Sequence, residues 1–260
     1  MKLLQKAFKR KNNTQPDNTK TSNVANTRTI INETPINLDL ELISERHVAC
    51  VFLLDTSGSM NKDGAIDKLA AGIRAFREQT MNNQKTDEVT RACIDIACVT
   101  YGGDVCEIQP FTTVDKMIVP TSVASGGTPM GEAINKGLDM ITAQKAKYNE
   151  YGTPYFRPWL FNITDGGPTD DYSGATIRLK KMEADKKVLG YCVGVENFNR
   201  NAMATIFEPE RLFELKNLNF PSLFQFVSSS LSAVRNSDPT AGNSIEVEAP
   251  TDLHTVKVSF

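Results

Sequence analysis

The sequence predicts a doubly wound α/β fold, in which a mainly parallel sheet with one antiparallel edge strand carries helices on both faces. Continuous apolar runs such as 48–55 (VACVFLLD) and 188–195 (VLGYCVGV) are typical of strands that are covered on both faces. Stretches with apolar residues at helical spacing alternate with these runs, which favours parallel strands joined by helices. One pair of strand-like runs is joined by Gly102 and Gly103, and this pattern predicts a hairpin that supplies the antiparallel edge.

The predicted elements follow one another along most of the chain. The first strand, 48–55, precedes a helix at 63–81, in which Ile66, Ile73 and Phe76 lie on one face. Because parallel neighbours need a long crossover, this alternation indicates that helices connect the strands. The later elements are strands at 92–101 and 105–111, a helix at 129–145, a strand at 156–164, a helix at 171–186, a strand at 188–195, a short helix at 199–207, a strand at 211–215 and a helix at 220–234.

Composition and charge exclude several classes of protein. The chain has 260 residues, 40% of them hydrophobic and 23% charged, which excludes collagen, coiled coil and wholesale disorder. The 29 Lys and Arg residues against 31 Asp and Glu leave a net charge of -2, so no overall field attracts nucleic acid. No apolar window reaches the length of a transmembrane helix, and the amino end lacks the apolar stretch of an export signal. We therefore expect a cytoplasmic protein.

A basic lead segment precedes the predicted domain. Residues 1–37 are rich in Asn, Thr and Lys, and we expect them to be largely unfolded. Within residues 1–11, Leu3, Leu4, Ala7 and Phe8 fall at helical spacing among Lys and Arg side chains. Two interpretations remain open: a short amphipathic helix that contacts a membrane or a partner, or a solvated run of charge.

The domain itself is predicted over residues 38–235, and a linker with a tail or hairpin follows over 236–260. The composition of 236–244 (NSDPTAGNS) is that of a linker. The segments SIEVEAP and HTVKVSF then alternate apolar and polar residues like two short strands. Both a terminal hairpin and an extended tail fit this pattern.

The cysteines and histidines of the chain favour neither disulfides nor zinc. The cysteines are odd in number, lack C-x-x-C spacing and lie mostly in apolar runs, so we expect reduced, packed thiols. His47 and His254 are the two histidines, too few for a typical imidazole zinc site. The cysteines are Cys50, Cys93, Cys98, Cys106 and Cys192.

Polar side chains collect where three of the apolar runs end or turn. Asp55, Ser57 and Ser59 follow the first strand in a D-x-S-x-S loop, DTSGSM. Thr128 comes directly before a predicted helix in SGGTPMGEA, and Asp165 ends a strand in FNITDGGPTDD. Because ligands of an open parallel sheet bind past the carboxyl ends of its strands, we expect these five side chains to share one crevice.

The chemistry of this set favours a hard divalent cation. Two carboxylates and three hydroxyls, without sulfur or imidazole, suit Mg²⁺ or Mn²⁺. Taken singly, each motif also has a plain structural interpretation as a turn or a helix cap. We expect Asp170 and Asp171 to stabilise the first turn of the following helix and do not count them as ligands.

These motifs, in this order and spacing, resemble the metal-ion-dependent adhesion site of von Willebrand factor type A domains. The resemblance extends from near His47 to near Val234. It implies that Ser57, Ser59 and Thr128 ligate Mg²⁺ directly or through water, while Asp55 and Asp165 polarise bound waters and orient the hydroxyls.

The sequences of two loops are more narrowly similar to the bacterial tellurite-resistance and chemical-stress group of these domains. The segments ASGGTPMGEAI and TDGGPTDD carry this similarity. It implies a stress-response context, since genes of that group often accompany a phosphatase and a kinase. Asn162 departs from the apolar residue that the family usually places in this strand, which puts the local packing in question.

The function that follows is a metal-dependent protein-binding module, not an enzyme, that captures an Asp or Glu of a partner. Candidate specificity residues around the metal are Met60, Asn61, Thr100, Tyr101 and Tyr172. One alternative is a Mg²⁺-dependent phosphoryl-transfer enzyme in which Asp55 attacks; Ser57, however, occupies the place where a second acid would be needed. Another is a cytoplasmic adaptor anchored by its basic amino-terminal segment. No phosphate-binding glycine motif supports a nucleotide site.

Overall fold

A six-stranded sheet with the order β3-β2-β1-β4-β5-β6 organises the computed structural model. All neighbours in this sheet are parallel except β2 and β3, which form an antiparallel hairpin at one edge. The predicted fold class is therefore confirmed. The strands are β1 (Val48–Asp55), β2 (Ile94–Gly102), β3 (Asp104–Thr113), β4 (Trp159–Thr164), β5 (Leu189–Val195) and β6 (Leu212–Leu215).

The structure describes most of the predicted domain and small parts of the carboxyl-terminal region. The described residues are 45–82, 88–120, 123–195, 198–235, 237, 245–247 and 256–258. The predicted lead segment, 1–37, lies outside them. Beyond the domain, β7 (Ile245–Val247) and β8 (Val256–Val258) pair with each other as an antiparallel hairpin.

Six α-helices occur within the described residues. The helix predicted at 63–81 begins only at Ala65, because Lys62 (ψ 134°) and Asp63 (φ 51°) leave helical geometry and end a preceding 3₁₀ segment, Gly58–Gly64. The helix predicted at 129–145 continues to Tyr151. The helices are α1 (Ala65–Asn82), α2 (Glu88–Ala92), α3 (Met130–Tyr151), α4 (Ser173–Ala184), α5 (Arg200–Ile206) and α6 (Phe220–Arg235). None of them is long and apolar enough to cross a membrane.

The sheet separates two apolar layers, as the continuous apolar run of β1 predicts. Alternate side chains of a strand point to opposite faces. Phe52 therefore packs with Phe76 of α1 and Phe224 of α6, each at a ring-centroid distance of 5.5 Å. Leu53 faces the other layer, which contains side chains of α3, α4 and α5. Helices thus cover both faces and leave the carboxyl ends of the strands open for a site.

The thiol prediction holds for four cysteines and is wrong for one. Cys50, Cys93, Cys98 and Cys192 are buried and free. Cys106 is also free, but it is exposed. The reason is its position on β3, an edge strand that pairs only with β2 in the described sheet.

A buried ionic contact joins the amino-terminal ends of β1 and β2. Nδ1 of His47 lies 2.7 Å from Oδ2 of Asp95, and the hydroxyl of Tyr148 on α3 donates to the same carboxylate. Burial lowers the pKa of His47, but the hydrogen bond and charge of Asp95, together with the Cys93 thiol, raise it to about 10. The imidazole is therefore protonated at neutral pH and forms an ion pair with Asp95.

Candidate metal centre

The predicted site lies where the order of the sheet reverses. β2 lies on one side of β1 and β4 on the other, so the carboxyl ends of β1 and β4 are neighbours. Leu54 of β1 is in register with Ile163 of β4, which places Asp55 and Thr164 side by side at the end of the sheet. Such a reversal opens a crevice in doubly wound folds.

Asp55 is buried at the bottom of the site. Its Oδ1 accepts a hydrogen bond from the backbone N–H of Ser57 at 2.8 Å, and its Oδ2 accepts one from the hydroxyl of Thr164 at 2.6 Å. Burial raises the pKa of Asp55 to about 6, the hydrogen bonds from Ser57 and Thr164 oppose this rise, and the charge of Asp165 adds to it. The carboxylate is thus fixed in orientation through both of its oxygens.

A chain of side-chain hydrogen bonds leads from the first loop to Asp165. The hydroxyls of Ser57 and Ser59 are 3.0 Å apart, and Ser59 Oγ donates to Oδ1 of Asp165 at 2.7 Å. Ser57 is buried, Asp165 partly buried and Ser59 exposed. Since Ser57 also binds Asp55 through its backbone, four of the five predicted site residues form one connected group.

Thr128 lies beside this group without a side-chain bond to it. Two loops meet through their backbones, since Gly58 N donates to Gly126 O at 3.0 Å and Ser125 N donates to Thr56 O at 2.8 Å. Thr128 follows two residues later and is buried. No hydrogen bond among the described residues joins its hydroxyl to the other four predicted side chains. Its backbone is held to the loop that follows Asp165, since Thr128 N donates to Oγ1 of Thr169 at 2.8 Å and Thr169 N donates to Thr128 O at 3.0 Å. Backbone contacts to both loops therefore bring Thr128 to the site.

Glycines allow the loops of the site to approach the edge hairpin closely. Gly126 has φ 71°, and a Cβ on it would lie 2.5 Å from the Cα of Gly103. A Cβ on Gly102 would lie 2.2 Å from the carbonyl oxygen of Thr56. Gly103 N also donates to Gly127 O at 2.9 Å. Any larger side chain at these positions must push the loops apart.

The structure corrects the predictions for the acids after Asp165. Asp171 lies two residues before α4 and not in its first turn, and it accepts a hydrogen bond from the backbone N–H of Ser173, the first residue of that helix, at 2.9 Å. Asp170 instead accepts from the backbone N–H groups of Gly131 and Glu132, at 3.1 and 2.9 Å, and stabilises the start of α3. The prediction for Asp170 was wrong because sequence proximity to α4 does not show that the loop folds back onto α3.

Two of the candidate specificity residues are also corrected. Met60 and Tyr101 are fully buried, so neither can contact a partner directly. Thr100 and Tyr172 are partly buried, and Asn61 is exposed and donates to the carbonyl of Ala124 at 2.9 Å. Met60 follows Ser59 in the first loop, and Tyr101 lies in β2 in register with Asp55, but their side chains point into the apolar layers.

Sequence reasoning missed Thr164 as a functional residue. Its hydroxyl donates to Asp55 and accepts the backbone N–H of Gly166 at 3.1 Å, so it connects the ends of β1 and β4. The available signal was its place as the last strand residue before Asp165. A Thr there is common in strands for packing reasons, and its role becomes visible only when β1 and β4 are known to be neighbours.

The donor set fits a hard divalent cation better than a soft one. It combines two carboxylates with hydroxyls, which are ligands that suit Mg²⁺ or Mn²⁺. Among the described residues, no group of three or more His, Cys, Asp or Glu side chains could hold a metal ion. An ion at this site would therefore depend on serine and threonine oxygens.

A family profile described as the von Willebrand factor type A domain matches residues 50–226. The chain therefore belongs to the von Willebrand factor type A domain family. Domains of this family are generally protein-interaction modules in adhesins. A comparison of the sequence with curated proteins gives no match.

Solved structures share the fold at low sequence identity. The pilus adhesin SpaC from Lactobacillus rhamnosus GG has 11% identity and a TM-score of 0.57, over 82% of this chain and 38% of SpaC. The von Willebrand factor domain of the type V pili tip protein Mfa5 from Porphyromonas gingivalis has 9% identity and a TM-score of 0.53, over 75% of this chain and 98% of that chain. The proximal thread matrix protein 1 from the mussel byssus has 12% identity and a TM-score of 0.50, over 71% and 48%. These likenesses show the fold alone.

Proposed function

We propose that the chain is a metal-dependent protein-binding module that captures an Asp or Glu side chain of a partner protein. The observation that carries this proposal is the hydrogen-bonded group of Asp55, Ser57, Ser59 and Asp165 at the sheet reversal. These side chains come from two loops that are far apart in sequence, and their contacts serve no apolar packing. A cation site explains why acids and hydroxyls are gathered there.

The side chains divide into two roles. Ser57, Ser59 and Thr128 would hold Mg²⁺ or Mn²⁺ through their oxygens, and Asp55 and Asp165 would orient hydroxyls and bound waters. Serine and threonine oxygens are neutral, so the bound ion supplies positive charge that attracts a carboxylate from outside. Because Ser59 is exposed, an ion bound to its hydroxyl would be within reach of a partner.

The structure favours this role over phosphoryl transfer by an attacking Asp55. Asp55 is fully buried, and both of its oxygens accept hydrogen bonds from Ser57 and Thr164. A nucleophilic carboxylate must reach the phosphorus atom with a free oxygen. The geometry therefore suits an orienting acid.

The biological setting is a further part of the proposal. The sequences of residues 124–134 and 164–171 support a bacterial stress-response or tellurite-resistance system, with a kinase and phosphatase pair among the partners. Free thiols, four of them buried, are compatible with a cytoplasmic location. The basic segment 1–37 would be the anchor if the domain serves as an adaptor.

Metal titration by calorimetry tests the cation site. We expect Mg²⁺ and Mn²⁺ to bind with one-to-one stoichiometry, and Ser57→Ala with Ser59→Ala to remove the heat. Ser229→Ala, at an exposed hydroxyl on α6, is the matched control and should bind like the original chain. A saturating ion at one hundred times its Kd should also raise stability by about 2.7 kcal/mol. No heat with either ion would overturn the metal site.

Affinity capture tests the protein-binding role. Partners retained from a lysate in Mg²⁺ should elute with EDTA and should not bind the Ser57→Ala, Ser59→Ala variant. Equal retention with and without EDTA contradicts the proposal. The enzyme alternative is tested by incubation with Mg²⁺ and a panel of phosphoesters, where turnover that disappears in Asp55→Asn would establish phosphoryl transfer instead.

A further inference from the structure

A cluster of cationic side chains lies at the end of the sheet opposite to the metal centre. Lys145 comes from α3, Arg157 precedes β4 and Arg211 precedes β6. Lys145 and Arg157 reach the connection between α4 and β5, and Arg211 contacts Glu183 of α4 and Gly190 of β5. Because these strands are parallel, their amino-terminal ends meet at this edge.

Backbone carbonyls of residues 187–190 contact all three cations. Lys145 Nζ lies 3.4 Å from the carbonyl oxygen of Lys187, and Arg157 Nε donates to that of Val188 at 2.8 Å. Arg211 Nε donates to the carbonyl oxygen of Gly190 at 3.0 Å. These carbonyls are neutral and do not offset the positive charges.

One buried acid offsets part of this charge. Glu183 accepts from Arg211 Nη2 at 2.6 Å through its Oε1, and its own carbonyl oxygen accepts from Arg157 Nη2 at 2.6 Å. With Lys145, the cluster then has three positive charges and one negative charge. The neighbouring Lys187 forms its own ion pair with Asp185 at 2.9 Å and adds no net charge.

Burial and neighbouring positive charge both act on the pKa values of these cations. Burial and the charges of Lys187 and Arg157 lower the pKa of Lys145. Burial and the charge of Arg211 likewise lower the pKa of Arg157, against the attraction of Glu183. An anion bound among these groups would relieve the repulsion.

A buried hydroxyl without a partner lies near the two arginines. Tyr191 is 2% exposed, its hydroxyl has no hydrogen-bond partner among the described residues, and the charges of Arg211 and Arg157 act on it. Burial keeps this phenol protonated, so it can donate a hydrogen bond. In the described contacts, each guanidinium uses two of its five N–H groups.

We propose that Lys145, Arg157 and Arg211 form a second binding site, which takes a phosphate group as its ligand. Two net positive charges match a phosphate monoester, which carries about -1.5 to -2 at neutral pH. The planar fork of arginine suits the oxygens of this group. Inorganic phosphate and a phosphorylated side chain both carry this group, and their relative affinities separate the two sources.

Phosphorus NMR and calorimetry in EDTA test the site while excluding binding through a metal ion. The probes are inorganic phosphate and O-phosphoserine, with serine as the unphosphorylated control. We expect saturable one-to-one binding of both phosphates and none of serine. Tighter binding of O-phosphoserine than of inorganic phosphate identifies a phosphorylated side chain as the ligand, and the reverse order identifies the free ion.

Two lysines of α3 provide the matched variants. Lys145→Gln should weaken phosphate binding about tenfold, as expected for a lost charged hydrogen bond. Lys147→Gln makes the same change of net charge on an exposed residue that faces another direction, and it should leave binding unchanged. Lys145→Glu, with an unchanged circular dichroism spectrum, should abolish binding. Absence of saturable binding, or equal weakening by the two glutamine variants, overturns the proposal. Neither result bears on the metal centre.

Discussion

The hydroxyl of Tyr101 on β2 donates a hydrogen bond to Oδ1 of Asn162 on β4 at 2.7 Å, across the central strand of the sheet. Both side chains are fully buried. The amide nitrogen of Asn162 lies 3.5 Å from the sulfur of Cys192 and 3.9 Å from that of Met130. The polar residue that interrupts an apolar strand is thus paired, and the packing that the sequence put in question is satisfied by a tyrosine.

Tyr101→Phe should lower the free energy of unfolding by about 1–3 kcal/mol, because it leaves the buried amide oxygen of Asn162 unpaired. Asn162→Leu added to Tyr101→Phe should cost less than the sum of the two single changes. Urea unfolding of the single and double variants measures both effects. Tyr151→Phe, at an exposed tyrosine, is the control and should change stability by less than about 0.5 kcal/mol. Additive losses would show that the two side chains are not coupled.

Thr164→Val should weaken Mg²⁺ or Mn²⁺ binding about 10- to 100-fold, because the hydroxyl that fixes Asp55 is lost while the side-chain shape is kept. Titration calorimetry measures the affinity. Thr142→Val is the matched control, since the Thr142 hydroxyl only donates to the carbonyl of Leu138 within α3. Unchanged affinity in Thr164→Val would show that Asp55 needs no such support.

Gly126→Ala should reduce both stability and metal affinity. The added Cβ meets the backbone of Gly103 and pushes the loop that carries Thr128 away from the edge hairpin, which disturbs its hydrogen bond with Gly58. Gly152→Ala is the control, because Gly152 has a similar φ of 68° and open space around it. It should cost only the backbone strain, about 1 kcal/mol, and leave metal affinity intact. Calorimetry and thermal unfolding of both variants distinguish steric displacement from strain.

Stability should fall as the pH rises from about 6.5 towards 10, because of His47. The folded-state pKa of His47, about 10, lies above its unfolded value of 6.5. The contribution of the protonated imidazole to the free energy of unfolding is therefore complete below pH 6.5, and it is lost as the pH rises through the folded-state pKa. One such group contributes a slope of at most about 1.4 kcal/mol per pH unit. His47→Gln should flatten this slope in urea unfolding measured across the range. Equal slopes in the two proteins would contradict the ion pair with Asp95.

The sequence was sufficient to predict the class of the sheet because a strand that is buried on both faces appears as a continuous apolar run. The seven consecutive apolar residues 48–54 could belong only to a covered strand or a buried helix, and the length of this run favoured the strand. The short helix α2 escaped prediction because five residues are too few to show a helical period. Strand order also left no local mark, although neighbouring strands decide which loops meet.

The candidate site was predictable where chemistry alone was enough. Acids and hydroxyls at strand ends identified the group that contains Asp55 and Asp165. The orientation of each side chain was not predictable: Met60 follows Ser59 in the first loop and Tyr101 is in register with Asp55, yet both side chains are fully buried. Thr164 and Asp170 act through partners on other elements, and such contacts depend on tertiary packing that no local pattern encodes.

The central position of β1 governs how the molecule opens. β1 has a strand on each side and helices over each face, so its amides should be the slowest to exchange with deuterium and should exchange only on global unfolding. Within the described residues β3 pairs with β2 alone, and it should exchange earlier through local fraying. Asp55 thus belongs to the strand that should be the last to unfold. Local fraying at the edge of the sheet should therefore leave the bottom of the metal centre in place.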